Sequence, residues 1–92
     1  MSEAIASREL LMEPTRTRAR LEILGPICEA DGTWICSFNA TGFSRSAPPA
    51  VFGNDSLQAL KIATTMAEIW LGSLPEYKNR LLLHLDGTVY SH

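Results

Sequence analysis

The chain has 92 residues, 46% of them hydrophobic and 20% charged, with a formal net charge of -2. A chain this short buries about two-thirds of its unfolded surface, enough for one modest core and too little for two lobes around a catalytic cleft. The near-neutral, slightly acidic balance supplies no field to hold a polyphosphate backbone, which argues against nucleic acid as a partner.

Residues 4–13 alternate loosely, with Ala4, Ala6, Leu10 and Met12 against Ile5, Ser7, Glu9 and Leu11, the pattern of a first strand with two partly apolar faces. Glu13-Pro14-Thr15-Arg16 reads as a turn. From Thr17 the alternation sharpens, with Ala19, Leu21 and Ile23 on one face and Arg18, Arg20 and Glu22 on the other, as in a half-buried strand. Gly25-Pro26 ends or bulges it. Asp31-Gly32 stands before the run Trp34, Cys36, Phe38, Ala40 and is a hairpin signal, so these strands are expected to pair antiparallel. Thr41-Gly42 reverses the chain again. Ser44 to Phe52 is expected to return as a fourth strand, confined to an edge by Pro48 and Pro49, which lack ladder donors.

Asp55 followed by Gln58 resembles a capping box ahead of an apolar-periodic run, which predicts a helix over residues 56–71 with Asp55 as N-cap. Ala59, Leu60, Ile62, Ala63, Met66, Ala67, Ile69 and Trp70 form its broad apolar stripe, opposite Lys61, Thr65 and Glu68. Gly72 is expected to supply a left-handed stop, and Pro75 to prevent resumption. Residues 76–79 suit a short turn. Residues 80–85 suit a fifth strand, with Asp86-Gly87 folding the tail back as a final hairpin. The order ββββαβ predicts one α+β domain over residues 1–92, a mostly antiparallel sheet of about four to six strands with one helix on one face.

Several cellular contexts are disfavoured. Glu3, Arg8 and Glu9 break the apolar stretch that a secretory signal needs, and Gln58, Lys61 and Glu68 break the apolar segment from Leu57 to Leu74. The expectation is a cytoplasmic protein without membrane contact, whose Cys28 and Cys36 stay reduced as small core residues. A loop of three residues centred on Gly32 would set the two cysteines opposite each other, whereas a two-residue Asp31-Gly32 turn would pair Cys28 with Ile35.

The segments Ile5-Ala6-Ser7-Arg8, Trp34-Ile35-Cys36 and Gly53 to Leu60 together resemble a family of small uncharacterised bacterial proteins. Its marks are a W-x-C strand and a G-x-D-S-x-Q-A-L helix start. The resemblance implies no catalytic residues. By analogy it implies an immunity-type protein that blocks a toxin by binding it.

The candidate chemistry is sparse. Cys28 and Cys36 with His84 and His92 lack the tight ligand spacing that preorganises zinc, so no metal or other cofactor is expected. His84 and Asp86 share a strand face and admit a minimal hydrolase using Cys36 or Ser56, although Asp86 more simply starts a turn and Ser56 a helix. Arg16, Arg18 and Arg20 make a basic patch that Glu13 and Glu22 flank as on an ordinary solvated face. Phe43 beside Arg45 at a hairpin tip is either an interface anchor or a ring folded back onto the sheet; Tyr77 and Tyr90 share that ambiguity. Trp34 and Trp70 are expected to meet in the core. Since one helix shields one sheet face, the other is expected to be partly apolar, with Ile35 and Ile5 or Leu11 on it. The leading expectation is a non-enzymatic protein-binding module, not an enzyme, with Arg18, Arg20, Glu22, Phe43 and Arg45 as contacts. A structural homodimer is the alternative.

Overall fold

The sharpest period-2 segment, Thr17–Leu24 (β2), pairs antiparallel with Ala4–Met12 (β1), setting Leu10 opposite Ala19 and Glu9 opposite Arg20. The computed structural model describes residues 3–91; Met1, Ser2 and His92, the last a weighed metal ligand, lie outside the described residues. After Gly25-Pro26 the chain continues as Ile27–Cys28 (β3), turns, and returns as Trp34–Cys36 (β4) and Phe38–Thr41 (β5). Strand β3 pairs with β4 and β2 with β5, so these four are the bent arms of one long hairpin. The bend falls at Gly25-Pro26 in one arm and Ser37 in the other, whose carbonyl accepts from Leu24 N at 2.9 Å. Pro26 has no N–H to contribute to a ladder, which is why the arm breaks there.

Val51–Gly53 (β6) adds to β4, and Leu82–Leu83 (β7) adds to β1. The result is a four-stranded sheet β5-β2-β1-β7 and a three-stranded sheet β3-β4-β6, both antiparallel. The fourth strand is therefore much shorter than the expected span from Ser44. It begins only after both prolines, and it does lie at an edge.

The hairpin loop comprises Ala30, Asp31 and Gly32, with Gly32 N donating to Glu29 O and Gly32 at φ 90°, where a side chain would be strained. Cys28 therefore faces Trp34, a pairing that neither expected loop gives, and both thiols are free, Cys28 exposed and Cys36 buried. A thiol reagent is expected to modify one cysteine of the native protein quickly and the second only after unfolding. Two fast thiols would contradict this placement.

The main helix, Ser56–Ser73 (α1), starts where expected: Asp55 Oδ1 accepts from Gln58 N at 2.7 Å. The reciprocal bond is displaced by one residue, because Gln58 Oε1 accepts from Asn54 N. Gly72 does not stop the helix. The stop falls at Leu74, extended at φ -70° and ψ 140°, because the ring of Pro75 disfavours helical backbone in the residue before it. A short helix, Pro75–Lys78 (α2), follows. The chain then forms β7, whose Leu83 bridges Val89 around the Asp86-Gly87 turn, completing the expected C-terminal hairpin.

Helix α1 buries Ala59, Ala63, Ala67, Trp70 and Leu71 against Leu10, Leu21, Ile23, Cys36 and Val51. The small residues on this face let α1 approach the sheet closely. Ile62 and Ile69, placed by periodicity in the same stripe, are exposed, so the buried face is narrower than the sequence implied. No helix among the described residues is long and apolar enough to cross a membrane.

Candidate functional site

The sheet face turned away from α1 has two halves of different character. In the four-stranded half, Arg18, Arg20 and Glu22 of β2 lie beside Glu9 of β1, as their parity and register require. Arg18 pairs with Glu9 at 3.0 Å, Arg20 with Glu9 at 3.3 Å and with Glu22 at 3.4 Å. Asn39 and Thr41 of β5 flank this ladder, opposite Glu22 and Arg20. Each exposed pair adds little stability, but together they leave this half polar and its cations matched by carboxylates. Little of the expected apolar character falls in this half: Leu11, opposite Arg18, is half-buried and Ile5 near the start of β1 is exposed, while Ile35 lies elsewhere.

Ile35 lies beyond the bend. In the three-stranded sheet Ile27, Ile35 and Phe52 stand opposite one another in one row across β3, β4 and β6. Ile27 is 49% exposed and Phe52 58% exposed, while the alternate residues Cys36, Val51 and Gly53 are buried toward α1. This row ends at β6, which among the described residues pairs with β4 alone. Exposed Glu29 and Asp31 border it at the hairpin tip, where they share a surface hollow with Ile35 and Phe52. Asp55 lies two residues after the end of β6, and between Arg20 and Lys61 the only cation in the chain is Arg45.

Phe43 lies in the loop after β5 and reaches α1. Its half-buried ring meets Trp70 edge-on at 5.2 Å, so Trp70 has Phe43 as its ring partner, and Trp34 packs half-buried at the core margin. Arg45 is exposed, and its charge acts on Glu76. Glu76 is buried and accepts from Ser44 N at 2.8 Å and Ser44 Oγ at 2.6 Å, tying the loop after β5 to α2.

A second cluster gave no sequence motif. Arg8 occupies an inward position between Ala6 and Leu10, and its Nη1 donates to Glu68 Oε1 at 3.0 Å and to the Tyr90 hydroxyl at 2.8 Å. It flanks a cleft of about 160 Å³ between β1, β2 and α1. Desolvation works to lower the Arg8 pKa, but Glu68 and Tyr90 outweigh it and hold the guanidinium charged. Burial pushes the Tyr90 hydroxyl up. One charged residue in an otherwise inward-facing apolar register was the available sequence signal.

Of the groups considered for hydrolysis, Ser56 and His84 are apart. Cys36 is buried on β4 and desolvation raises its thiol pKa, so it resists becoming a thiolate. Ser56 is the exposed first residue of α1, whereas His84 rests on Tyr90, with ring centroids 5.4 Å apart. Tyr90 in turn reaches Glu68, about 18 Å along α1 from Ser56 at the helical rise. With these placements known, comparison with known proteins matches residues 6–91 to one family, described as a domain of unknown function, DUF6968. No curated protein and no solved structure matches the chain.

Proposed function

The chain belongs to the DUF6968 family of uncharacterised domains, a membership that assigns no activity, and we propose that it is a non-catalytic protein-binding module that receives an extended segment of a partner at the β6 edge. The observation that carries this reading is the row of exposed Ile27, half-buried Ile35 and exposed Phe52, ending at a strand paired on one side among the described residues. An edge strand offers main-chain hydrogen bonds to an incoming strand, and an adjoining apolar row offers contacts to its alternate side chains. The acidic border of Glu29 and Asp31 favours a partner segment that alternates apolar and basic residues.

That border also ranks the homodimer second, because a second copy brings the same carboxylates to the contact. A toxin whose surface is blocked by binding, the immunity-type case, is one instance of such a partner. The resemblance supports it.

The reading is tested by amide NMR with two model peptides of equal apolar alternation, one carrying lysines and the other glutamates. The lysine peptide is expected to shift the amides of Val51–Gly53, and Phe52→Asp to abolish the shift. Equal response to both peptides, or none to either, would contradict the reading. Light scattering at high micromolar concentration is expected to give a monomer; a stable dimer would favour the homodimer.

A further inference from the structure

The far end of α1, about 27 Å from its start at the helical rise, has the opposite electrostatic character. Of the chain's eight lysines and arginines, Arg8, Arg16, Arg18 and Arg20 pair with carboxylates, and Arg45 stands by Glu76. Lys61, Lys78 and Arg80 pair with no carboxylate among the described residues, and the last two line one cleft of about 350 Å³. Gly72, Tyr77, Val89 and Tyr90 supply its other walls. Tyr90 is buried and holds Tyr77 in edge contact at 5.7 Å, so the aromatic wall is fixed before any ligand arrives.

Arg80 is also backbone-strained. Helix α2 ends in a Schellman arrangement in which Leu81 N donates to Glu76 O at 2.8 Å and Arg80 N to Tyr77 O at 3.1 Å. That puts Arg80 at the left-handed position after the cap, at φ 58°. Glycine or asparagine occupies this position at no comparable steric cost. Lys78 has an ordinary explanation, since a cation in the last turn of a helix complements its dipole. Arg80 has none: its side chain makes no ion pair among the described residues, and its backbone conformation disfavours it. A strained residue whose side chain makes no hydrogen bond or ion pair among the described residues, set in a cleft beside Lys78, is the pattern of a residue kept for a ligand.

We propose that this cleft binds a small organic anion, a carboxylate or phosphate monoester on a flat apolar body. Lys78 and Arg80 take the anionic head, and Tyr77 and Val89 take the body. The site is independent of the β6 edge, so either assignment stands if the other fails.

Amide NMR titrations with benzoate, phenyl phosphate, inorganic phosphate and neutral benzyl alcohol test it. Benzoate or phenyl phosphate is expected to shift the amides of residues 77–80 and 89–90 saturably at millimolar concentration, and the tighter of the two identifies the head group. Arg80→Gly is expected to weaken that binding about tenfold, the loss of one charge-assisted contact. The same variant is expected to raise the melting temperature by roughly 4 °C through relief of the left-handed strain. A purely structural Arg80 would not give that opposition. Lys78→Gln, which leaves the turn intact, is expected to weaken binding similarly. No saturable shift with either aromatic anion would overturn the proposal. So would inorganic phosphate or benzyl alcohol binding as tightly as the aromatic anions, or unchanged binding in Arg80→Gly.

Discussion

Gly53→Val is expected to cost about 3 kcal/mol of stability, read as a fall in the urea midpoint. A Cβ placed on Gly53 would lie 2.5 Å from the backbone nitrogen of Ala59 and 2.9 Å from its Cα. Those atoms belong to the first turns of α1 and cannot rotate away as a flexible side chain would. The strand or the whole helix must move. Strand β6 meets α1 at this contact, with Val51 and Gly53 inward, which leaves Phe52 outward. Gly53→Val should therefore also perturb the amides of residues 51–53 and 35. A cost below about 1 kcal/mol would mean that α1 is not held against β6 in this way.

Glu76→Ala is expected to cost about 2 kcal/mol at neutral pH, since it removes a buried carboxylate and both of its charge-assisted hydrogen bonds to Ser44. The effect carries a pH signature. Burial by itself would raise the Glu76 pKa, but the Ser44 bonds, its own backbone N–H and the Arg45 charge together hold it below the usual glutamate range. The unfolded chain then binds this proton more readily than the folded one. The stabilisation is present above the unfolded pKa and is lost as pH falls through the folded pKa, a loss that starts near pH 5 and grows below it. Glu76→Ala is expected to remove that part of the dependence, so the two proteins' urea midpoints should converge in acid. Parallel profiles would show that the Ser44 clamp contributes no proton linkage.

How much of this was legible in the sequence follows from which interactions are local. The strand β2 and the cap Asp55 are set by alternation and short-range hydrogen bonding, and both stand where the pattern puts them. The Gly72 stop failed because a glycine permits a left-handed turn without requiring one, whereas Pro75 imposes extended backbone on Leu74. The fourth strand was overextended because nothing in residues 44–50 says that Ser44 is held by a carboxylate thirty-two positions away.

The surface was harder to read than the fold. Parity correctly grouped Arg18, Arg20 and Glu22, but Glu9, which matches both arginines, enters through the β1 register. Ile35 was expected on the uncovered face. That Ile27 and Phe52 complete a row with it depends on the bend at Gly25-Pro26 and on β6 joining β4, two long-range facts. Arg80 carries no signal in the sequence, since its left-handed backbone is visible only once α2 and β7 are joined.

The account's central claim is that partners dock at the acidic-bordered apolar end and not on the charge ladder. Site-specific photocrosslinking in the native host measures this directly, with the probe at position 52 in one protein and at position 39 in another. The account predicts a discrete crosslink to one basic protein from position 52, lost when Ile35→Glu is added, and none from position 39. Equal crosslinking from both positions, or crosslinks from position 52 to the chain itself alone, would contradict it.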